Sequence, residues 1–329
     1  MDKVLEVSNL HTTFKINKKD YEVLHDISFS INRNETVCVV GESGCGKSVT
    51  TLCIMQLLPN NGKIQSGSIK LNDVELTSLN KKQIREYRGS KMGMIFQEPM
   101  TALNPLLTIG YQMRETIMLH RHVNKDEANK IAIDYLNKVG IANPESRLKQ
   151  YPFQLSGGLR QRILIAMVLS VKPDLVIADE PTTALDVTIQ KQVLVLLNQL
   201  KSEINAGILF ITHDLGVVAE IADRVVVLYA GRKVEEGTTK QIFNNPKHPY
   251  TVGLMNAVPN VDLDDFKIQP IPGTFPNITE EIQGCRFNPR CPRAKECTKC
   301  FEEAPEMIEI EKGHFVACHL TNQKEGNHE

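Results

Sequence analysis

The sequence predicts an α/β fold in which helices cover a parallel sheet, with antiparallel strands before it and a small cysteine- and proline-rich extension after it. Between Pro173 and Gly237, short apolar runs alternate with longer amphipathic runs, a pattern typical of a helix-covered parallel sheet. Near the N-terminus an apolar run, "TVCVV", leads into a glycine-rich turn. After Gly237 the composition changes. These three observations fix the fold class.

The composition narrows the classes of partner. The chain of 329 residues is 41% hydrophobic and 23% charged, as in ordinary globular proteins. Its formal net charge of -1 excludes the basic field that binding to nucleic acid or anionic lipid requires. The start, "MDKVLEVSNLHTTFK", lacks a signal-peptide core, and apolar runs such as "ILIAMVL" fall short of the roughly 18 residues that span a bilayer. We therefore expect a cytosolic protein that reaches a membrane only through a partner.

The first part of the chain predicts antiparallel strands and then helices. The first 35 residues and the stretch "SGSIKLNDVEL" alternate apolar and polar positions, which favours short antiparallel strands. From about 97 to 173 the pattern becomes helical. Within it, "DEANKIAIDYLNKVGI" has an apolar face suited to packing.

The glycine-rich turn predicts a phosphate-binding loop. "GESGCGKS" fits the pattern G-x-x-x-x-G-K-[ST] between a strand and a helix. Its glycines let successive backbone N–H groups face one anion, and the helix adds its positive N-terminal end. Lys47 can reach the β- and γ-phosphates, and the Ser48 hydroxyl can bind Mg²⁺. The predicted ATP-binding residues of this segment are Gly41, Glu42, Ser43, Gly44, Cys45, Gly46, Lys47, Ser48 and Val49.

Two acidic residues at the end of a buried strand predict the second half of the site. "PDLVIADEP" places Asp179 at the tip of an apolar run, where its carboxylate can join the Mg²⁺ shell. Glu180, the next residue, can orient or deprotonate the attacking water.

"YPFQLSGGLRQRILIAMVLSVKPDLVIADEP" resembles the signature region of ABC-type ATPases, a branch of the P-loop NTPases with a RecA-like core. The serine hydroxyl, the glycine amides and the following helix form a second anion-binding feature. In the family, the signature loop acts across a dimer, on ATP held by the partner's P-loop. The signature residues are Leu155, Ser156, Gly157 and Gly158.

Further positions match the family one at a time. "MIFQEP" resembles the Q-loop, which implies that Gln97 lies near Mg²⁺ and the attacking water. "TALD" resembles the D-loop with Asp186, and "FITHDL" resembles the switch-histidine segment with His213. Phe14 stands where the family has an aromatic residue that stacks on adenine, and Tyr21 is its rival. The resemblance implies an antiparallel β subdomain and a helical subdomain at about 97–173.

The segment after Gly237 resembles the C-terminal extension of ATPase subunits from bacterial oligopeptide, dipeptide and nickel importers. "NPKHPYTVGLMNAVP" and "IPGTFPNITEEIQGCRFNPRCPRA" carry this resemblance. It implies a nucleotide domain at 1–237 and an extension at 238–329. The implied partners are a second, different ATPase subunit, two transmembrane permease subunits and an extracellular substrate-binding protein. The implied location is the cytoplasmic face of the membrane.

Five of the eight cysteines lie in the extension and predict a metal centre. Soft thiolate ligands suit iron–sulfur or zinc, and a reducing cytosol disfavours disulfides. Resemblance to the importers favours a [4Fe–4S] cluster, with Cys297 as the alternative to Cys300. A Zn²⁺ site with His314 or His319 and a set of reduced packing thiols are the other two interpretations. The favoured ligands are Cys285, Cys291, Cys300 and Cys318.

Two other functions were weighed. A soluble ABC ATPase acting on ribosomes or DNA would usually carry two nucleotide domains or a coiled-coil insertion, and this chain has neither. A P-loop kinase would not need "LSGG". The sequence therefore predicts the ATP-hydrolysing subunit of a peptide-class importer.

Overall fold

The computed structural model describes residues 2–97, 102–182, 186–257 and 271–322. The strands are β1 (Lys3–Ile16), β2 (Lys19–Asn32), β3 (Thr36–Val40), β4 (Gly62–Leu71), β5 (Val74–Glu75), β6 (Met92–Ile95), β7 (Leu175–Asp179), β8 (Gly207–Ile211), β9 (Arg224–Tyr229), β10 (Arg232–Thr238), β11 (Ile308–Glu311) and β12 (His314–Val316). The α-helices are α1 (Lys47–Ile54), α2 (Lys81–Tyr87), α3 (Ile109–Arg121), α4 (Lys125–Lys138), α5 (Pro144–Arg147), α6 (Gly157–Ser170), α7 (Val187–Ile204), α8 (Leu215–Ile221), α9 (Thr239–Asn244), α10 (Pro249–Asn256), α11 (Lys299–Glu302) and α12 (His319–Asn322).

The chain forms two compact units. The first unit comprises Met1–Leu5, Ile31–Thr36 and Lys70–Ile211, and the second comprises Glu6–Ser30, Val37–Ile69 and Thr212–Glu329. Within the described part of the chain, no helix is long and apolar enough to cross a membrane.

The first unit holds three parallel strands and a group of helices. β7 lies between β6 and β8, with Met92 opposite Leu175 and Leu175 opposite Gly207. Helix α4 buries Ala128, Ala132, Tyr135 and Leu136, so the predicted amphipathic face is confirmed. Helices α3 to α6 fall inside the region 97–173 that the sequence predicts as helical.

The second unit begins with an antiparallel arrangement in the order β2-β1-β4. Buried and more exposed positions alternate along β1 and β2, as the sequence predicts. A second set of strands has the order β11-β12-β10-β9-β3, in which only β3 and β9 are parallel. All five residues of β3, "TVCVV", are buried. This buried strand delivers the chain to the glycine-rich loop.

Within the second unit, strand pairing and a buried core hold the extension to the strands that precede it. β12 pairs with β10, with Glu235 opposite Val316, so the extension continues the strands that precede it. Glu235 is fully buried, and its carboxylate accepts bonds from the N–H groups of Lys247 and His248 at 2.8 and 2.9 Å and contacts His314 Nε2 at 2.8 Å. These contacts satisfy a buried acid, as burial requires. The predicted boundary near Gly237 falls inside β10 and stays a prediction.

Candidate nucleotide-binding site

The second unit contains the predicted phosphate loop in the predicted strand–loop–helix setting. β3 ends at Val40 and α1 begins at Lys47. Glycine is needed at both ends of the loop. A Cβ on Gly41 would lie 2.2 Å from the Leu228 carbonyl oxygen. Gly46 has φ of +109°, and its Cβ would lie 2.6 Å from Leu24 Cδ2.

Lys47 is held inside this loop. Its ammonium donates to the carbonyl oxygens of Gly41 and Glu42 at 2.7 and 3.0 Å, and its side chain is buried. Ser48 is exposed at the start of α1, and no side chain caps that helix. An ammonium, a hydroxyl and the helix N-terminus are thus placed at one loop, which is the donor set that a polyphosphate requires.

The three N-terminal cysteines are packing residues. Cys38, Cys45 and Cys53 are fully buried. Burial raises the pKa of the Cys45 thiol and raises that of Cys53 to about 11. Both therefore stay protonated at neutral pH, which argues against reactivity.

Three residues of the extension contact the phosphate loop, and sequence reasoning missed all of them. The Tyr250 hydroxyl accepts the Glu42 N–H at 2.8 Å. Arg290 donates to both oxygens of the Glu42 carboxylate, at 2.7 and 3.1 Å. The Phe275 ring would lie 3.5 Å from a Cβ on Gly44. No local pattern signals these contacts, because 248 positions separate Glu42 from Arg290.

Tyr250 and Phe275 belong to an aromatic cluster around Tyr229. The ring of Tyr229 lies 4.6 Å from that of Tyr250, 5.3 Å from that of Phe275 and 5.0 Å from that of Phe287, all edge to face. Arg290 is almost completely buried beside this cluster and also donates to the Pro272 carbonyl at 2.8 Å. The extension therefore holds the loop through rigid, packed side chains.

His213 and Phe14 also lie in the second unit. His213 is exposed after β8, and Asp214 caps α8 beside it. Phe14 is half-buried on β1, and its ring would lie 3.0 Å from a Cβ on Gly62. Its rival, Tyr21, has the Lys19 ammonium 5.2 Å from its ring centroid. The adenine contact predicted for Phe14 stays a prediction.

The first unit brings together two of the predicted catalytic residues. Glu180 follows β7 directly, and Gln97 Nε2 donates to its Oε2 at 3.1 Å. Glu180 has a left-handed φ of +46°, held by a bond from its N–H to the Ile211 carbonyl at 2.9 Å. Such backbone strain in a residue other than glycine clusters at functional sites. Asp179 is half-buried at the end of β7, as predicted.

The signature residues stand at the start of α6. Ser156 caps this helix by accepting the Leu159 N–H, and Leu155 is buried behind it. A Cβ on Gly157 would meet nothing within 4 Å. Packing of the described residues therefore does not require glycine here, whereas close approach of another group would. Gly158 differs, because its Cβ would lie 3.2 Å from Ile189 Cγ2.

Asp186 is the described part of the predicted D-loop. Its carboxylate caps α7 by accepting the Ile189 N–H at 3.0 Å. Residues 183–185 lie outside the described residues.

The five cysteines of the extension lie near one another, but the described residues show no metal-binding group among them. Cys297, Cys300 and Cys318 share a small core with Val316 and Leu320. Within the described ranges, which include all five cysteines, no group of three or more His, Cys, Asp or Glu residues could hold a metal ion. The geometry thus supports neither the [4Fe–4S] cluster nor the Zn²⁺ alternative.

Both histidines weighed as zinc ligands are engaged elsewhere. His314 Nε2 contacts the buried Glu235 carboxylate at 2.8 Å, and His319 Nε2 contacts the Glu303 carbonyl at 2.9 Å. Neither histidine completes a thiol set in this structure.

Comparisons with known proteins agree with the geometry. The family model described as "ABC transporter" matches residues 24–183, and "Oligopeptide/dipeptide transporter, C-terminal region" matches 234–300. The chain is 47% identical over 325 residues to the oligopeptide transport ATP-binding protein AppD of Bacillus subtilis, covering 98% of each chain. It is 47% identical over 326 residues to the dipeptide transport ATP-binding protein DppD of the same organism, covering 98% of this chain and 96% of that one. The dimeric ATP-binding cassette MJ0796, solved with ADP and Pi in a post-hydrolysis state, superposes with a TM-score of 0.64 at 26% identity, covering 71% of this chain and 98% of that one.

Proposed function

The chain belongs to the oligopeptide/dipeptide transport ATP-binding proteins of the ABC family, and from this premise we propose that its ATPase activity powers the import of peptides. The observation that carries the proposal is likeness to these proteins over nearly the whole chain, extension included. A soluble ATPase acting on ribosomes or DNA is not favoured, since the extension matches a transporter family.

In the proposed mechanism the phosphate loop binds the triphosphate of ATP. Lys47 exchanges carbonyl partners for β- and γ-phosphate oxygens, and the backbone N–H groups of the loop neutralise the remaining charge. Ser48, Asp179 and Gln97 would hold Mg²⁺, which would shield the negative charge of the phosphates. Phe14 stacks on the adenine ring.

Hydrolysis in this proposal needs a proton acceptor and groups that position the water and the γ-phosphate. Glu180 accepts a proton from the attacking water, and Gln97, already hydrogen-bonded to Glu180, positions that water. His213 contacts the γ-phosphate. Asp186 and the signature residues, Gly157 above all, act on ATP bound by a second subunit.

The proposed assembly contains this chain, a paralogous ATPase subunit, two permease subunits and an extracellular binding protein. The chain lies at the cytoplasmic face of the membrane, and residues 97–173 form the subdomain that docks on the permeases. The proposed domain boundaries are 1–237 for the nucleotide domain and 238–329 for the extension.

The test is turnover as a function of assembly. We expect slow ATP hydrolysis by the isolated chain and a rise of at least about tenfold on adding the partner ATPase and permeases, since the shared site supplies transition-state contacts. Ser156→Ala should lower turnover of the assembly but leave nucleotide binding by the isolated chain unchanged. Full turnover by a monomer, independent of its concentration, would contradict the shared site.

A metal centre at the extension cysteines stays a prediction from resemblance and takes no part in this mechanism. Only the proximity of the thiols to one another supports it. Burial, and then the neighbouring thiols Cys318 and Cys291, raise the pKa of Cys285 to about 11. Anaerobic purification with iron, sulfide and zinc analysis tests it. Absence of metal from the folded protein would leave reduced packing thiols as the interpretation.

A further inference from the structure

The second unit contains a cavity of about 450 Å³ that the proposed ATPase cycle does not use. β2 contributes His25 and Ser28, β10 contributes Arg232, and the extension contributes Arg286 and Phe287. A volume of this size falls within the range of roughly 300–1,000 Å³ typical of small-molecule sites. Segments distant in sequence therefore line a space suited to a small ligand.

Three buried nitrogen atoms at this cavity have no hydrogen-bond partner among the described residues. They are Nε of Arg232, Nε of Arg286 and Nε2 of His25. His25 is only 9% exposed. Buried polar groups in proteins are normally hydrogen-bonded, and leaving one unpaired costs about 1–3 kcal/mol. The Nε–H groups of Arg232 and Arg286 converge on one cavity and are donors that suit an oxyanion, and Nε2 of His25 becomes a third donor when its ring is protonated.

The field at these atoms is positive. Burial, and then the charge of Arg286, lower the pKa of His25 to about 4. Arg232 and Arg286 carry like charges at one cavity, and neither forms an ion pair with an acid in the described part of the chain. The charge of Glu22 offsets their repulsion in part.

Two acids, Asp26 and Glu306, belong to the lining of the cavity, and a third, Glu22, contacts His25 beside it. Glu22 contacts His11 Nδ1 at 2.5 Å and His25 Nδ1 at 3.1 Å. Asp26 accepts from Asn9 Nδ2 at 2.7 Å and is exposed, as is Glu306. The remaining cation, Lys233, is already paired with Glu236 at 2.5 Å. Arg232 and Arg286 are therefore the cations that a ligand would meet.

We propose that this cavity is a binding site for a small oxyanion, a phosphate or carboxylate group, held by the guanidinium groups of Arg232 and Arg286. Arginine suits this task because its planar fork binds two oxygens at once. Phe287 and Val234 add an apolar wall, so the ligand carries a small apolar part next to the oxyanion. A bound anion links β2 and β10 to the extension, whose Arg290 holds the phosphate loop. A ligand bound at this site would thus act on the phosphate loop through the extension, without taking part in ATP hydrolysis.

The experiment measures thermal unfolding of the full chain in inorganic phosphate, in malonate and in chloride at matched ionic strength. A non-hydrolysable ATP analogue with Mg²⁺ is present throughout, so that the phosphate loop is occupied. We expect phosphate or malonate to raise the midpoint of the wild type by about 2–4 °C. The larger shift identifies the chemistry of the ligand. No shift with either anion would overturn the proposal.

Variants separate this cavity from other anion sites. Arg286→Gln and Arg232→Gln should each abolish the shift, and each should raise the midpoint in chloride, because the repulsion is relieved. A purely structural arginine would lower the midpoint instead. Arg293→Gln is the matched control, since Arg293 lies in the same extension but pairs with Glu296 at the surface. A shift that persists in both cavity variants would overturn the proposal. Failure of the analogue to stabilise the wild type in chloride would instead count against the proposed ATPase function.

Discussion

The phosphate loop and the arginine cavity are two anion-binding regions of one unit, and they are built in opposite ways. In the loop, backbone groups of a contiguous segment form the cradle, and the ammonium of Lys47 is bonded to two carbonyls. In the cavity, side chains from distant segments converge, and their buried nitrogens lack partners. The loop therefore keeps its shape without a ligand. In the cavity, the guanidinium groups of Arg232 and Arg286 repel each other, and a bound anion would offset that repulsion.

The variant with the largest expected effect is Glu180→Gln, which should abolish most ATP turnover without affecting the cavity. Gln97 can still hydrogen-bond the new side chain, but the carboxylate that accepts the proton is gone. Turnover of the assembled complex should fall by about 10²–10⁴-fold, with nucleotide binding and the phosphate response of the cavity unchanged. Glu220→Gln, an exposed acid on α8, is the control. A loss of less than about tenfold would show that Glu180 is not the base.

The sequence predicts the loop because all its chemistry lies within eight consecutive residues, from Gly41 to Ser48. Gln97 and Glu180 lie 83 positions apart, and the place of Gln97 near the attacking water was predicted only through family resemblance. The cavity residues are neither contiguous in sequence nor marked by family resemblance. Arg232 and Arg286 belong to no motif with a known mechanism, and only the pairing of β10 with the extension brings their segments together.

The same contrast explains what the structure leaves unsupported in the extension and what sequence reasoning missed there. Cysteine spacing predicted a metal centre, but burial and strand pairing place the thiols without a metal-binding group in the described residues. Arg290 was missed because its role depends on Glu42, 248 positions away. Composition identifies an extension, but it does not reveal which side chains the extension supplies to a distant loop.

A second, smaller effect should show how far the extension controls the loop. Arg290→Gln leaves the Glu42 carboxylate unpaired beside a loop that must receive negative phosphates. We expect nucleotide affinity to fall about tenfold and the free energy of unfolding to fall by about 1–3 kcal/mol. Titration with a fluorescent nucleotide and urea unfolding measure the two quantities.

The double variant Glu42→Gln, Arg290→Gln sharpens this test. It removes the unpaired charge, so affinity should recover much of the loss, and the cycle isolates the pair. Arg293→Gln again serves as control. If the double variant binds nucleotide as weakly as Arg290→Gln alone, the charge pair does not control the loop.

The smallest expected effect tests whether the cavity responds to an anion through His25. The folded-state pKa of His25, about 4, lies below its ordinary value of 6.5. Between pH 6.5 and pH 4 the unfolded chain therefore binds a proton that the folded chain does not bind. Stability from this residue is complete above pH 6.5 and is lost as pH falls toward 4, by about 3 kcal/mol at most.

Sulfate, which stays ionised across this range, should raise the pKa of His25 against the influence of Arg232 and Arg286 and so reduce the loss of stability. Urea unfolding from pH 7 to pH 4, with and without sulfate, measures it. His248→Gln is the control: burial lowers the pKa of His248 to about 3, so that variant loses its own share of the acid sensitivity but keeps the share of His25 and the full sulfate effect. His25→Gln should lose the share of His25 and the sulfate effect on it, leaving only the general stabilisation that sulfate gives to any folded protein. Equal sulfate protection in His25→Gln and the wild type would mean that the anion does not bind beside His25.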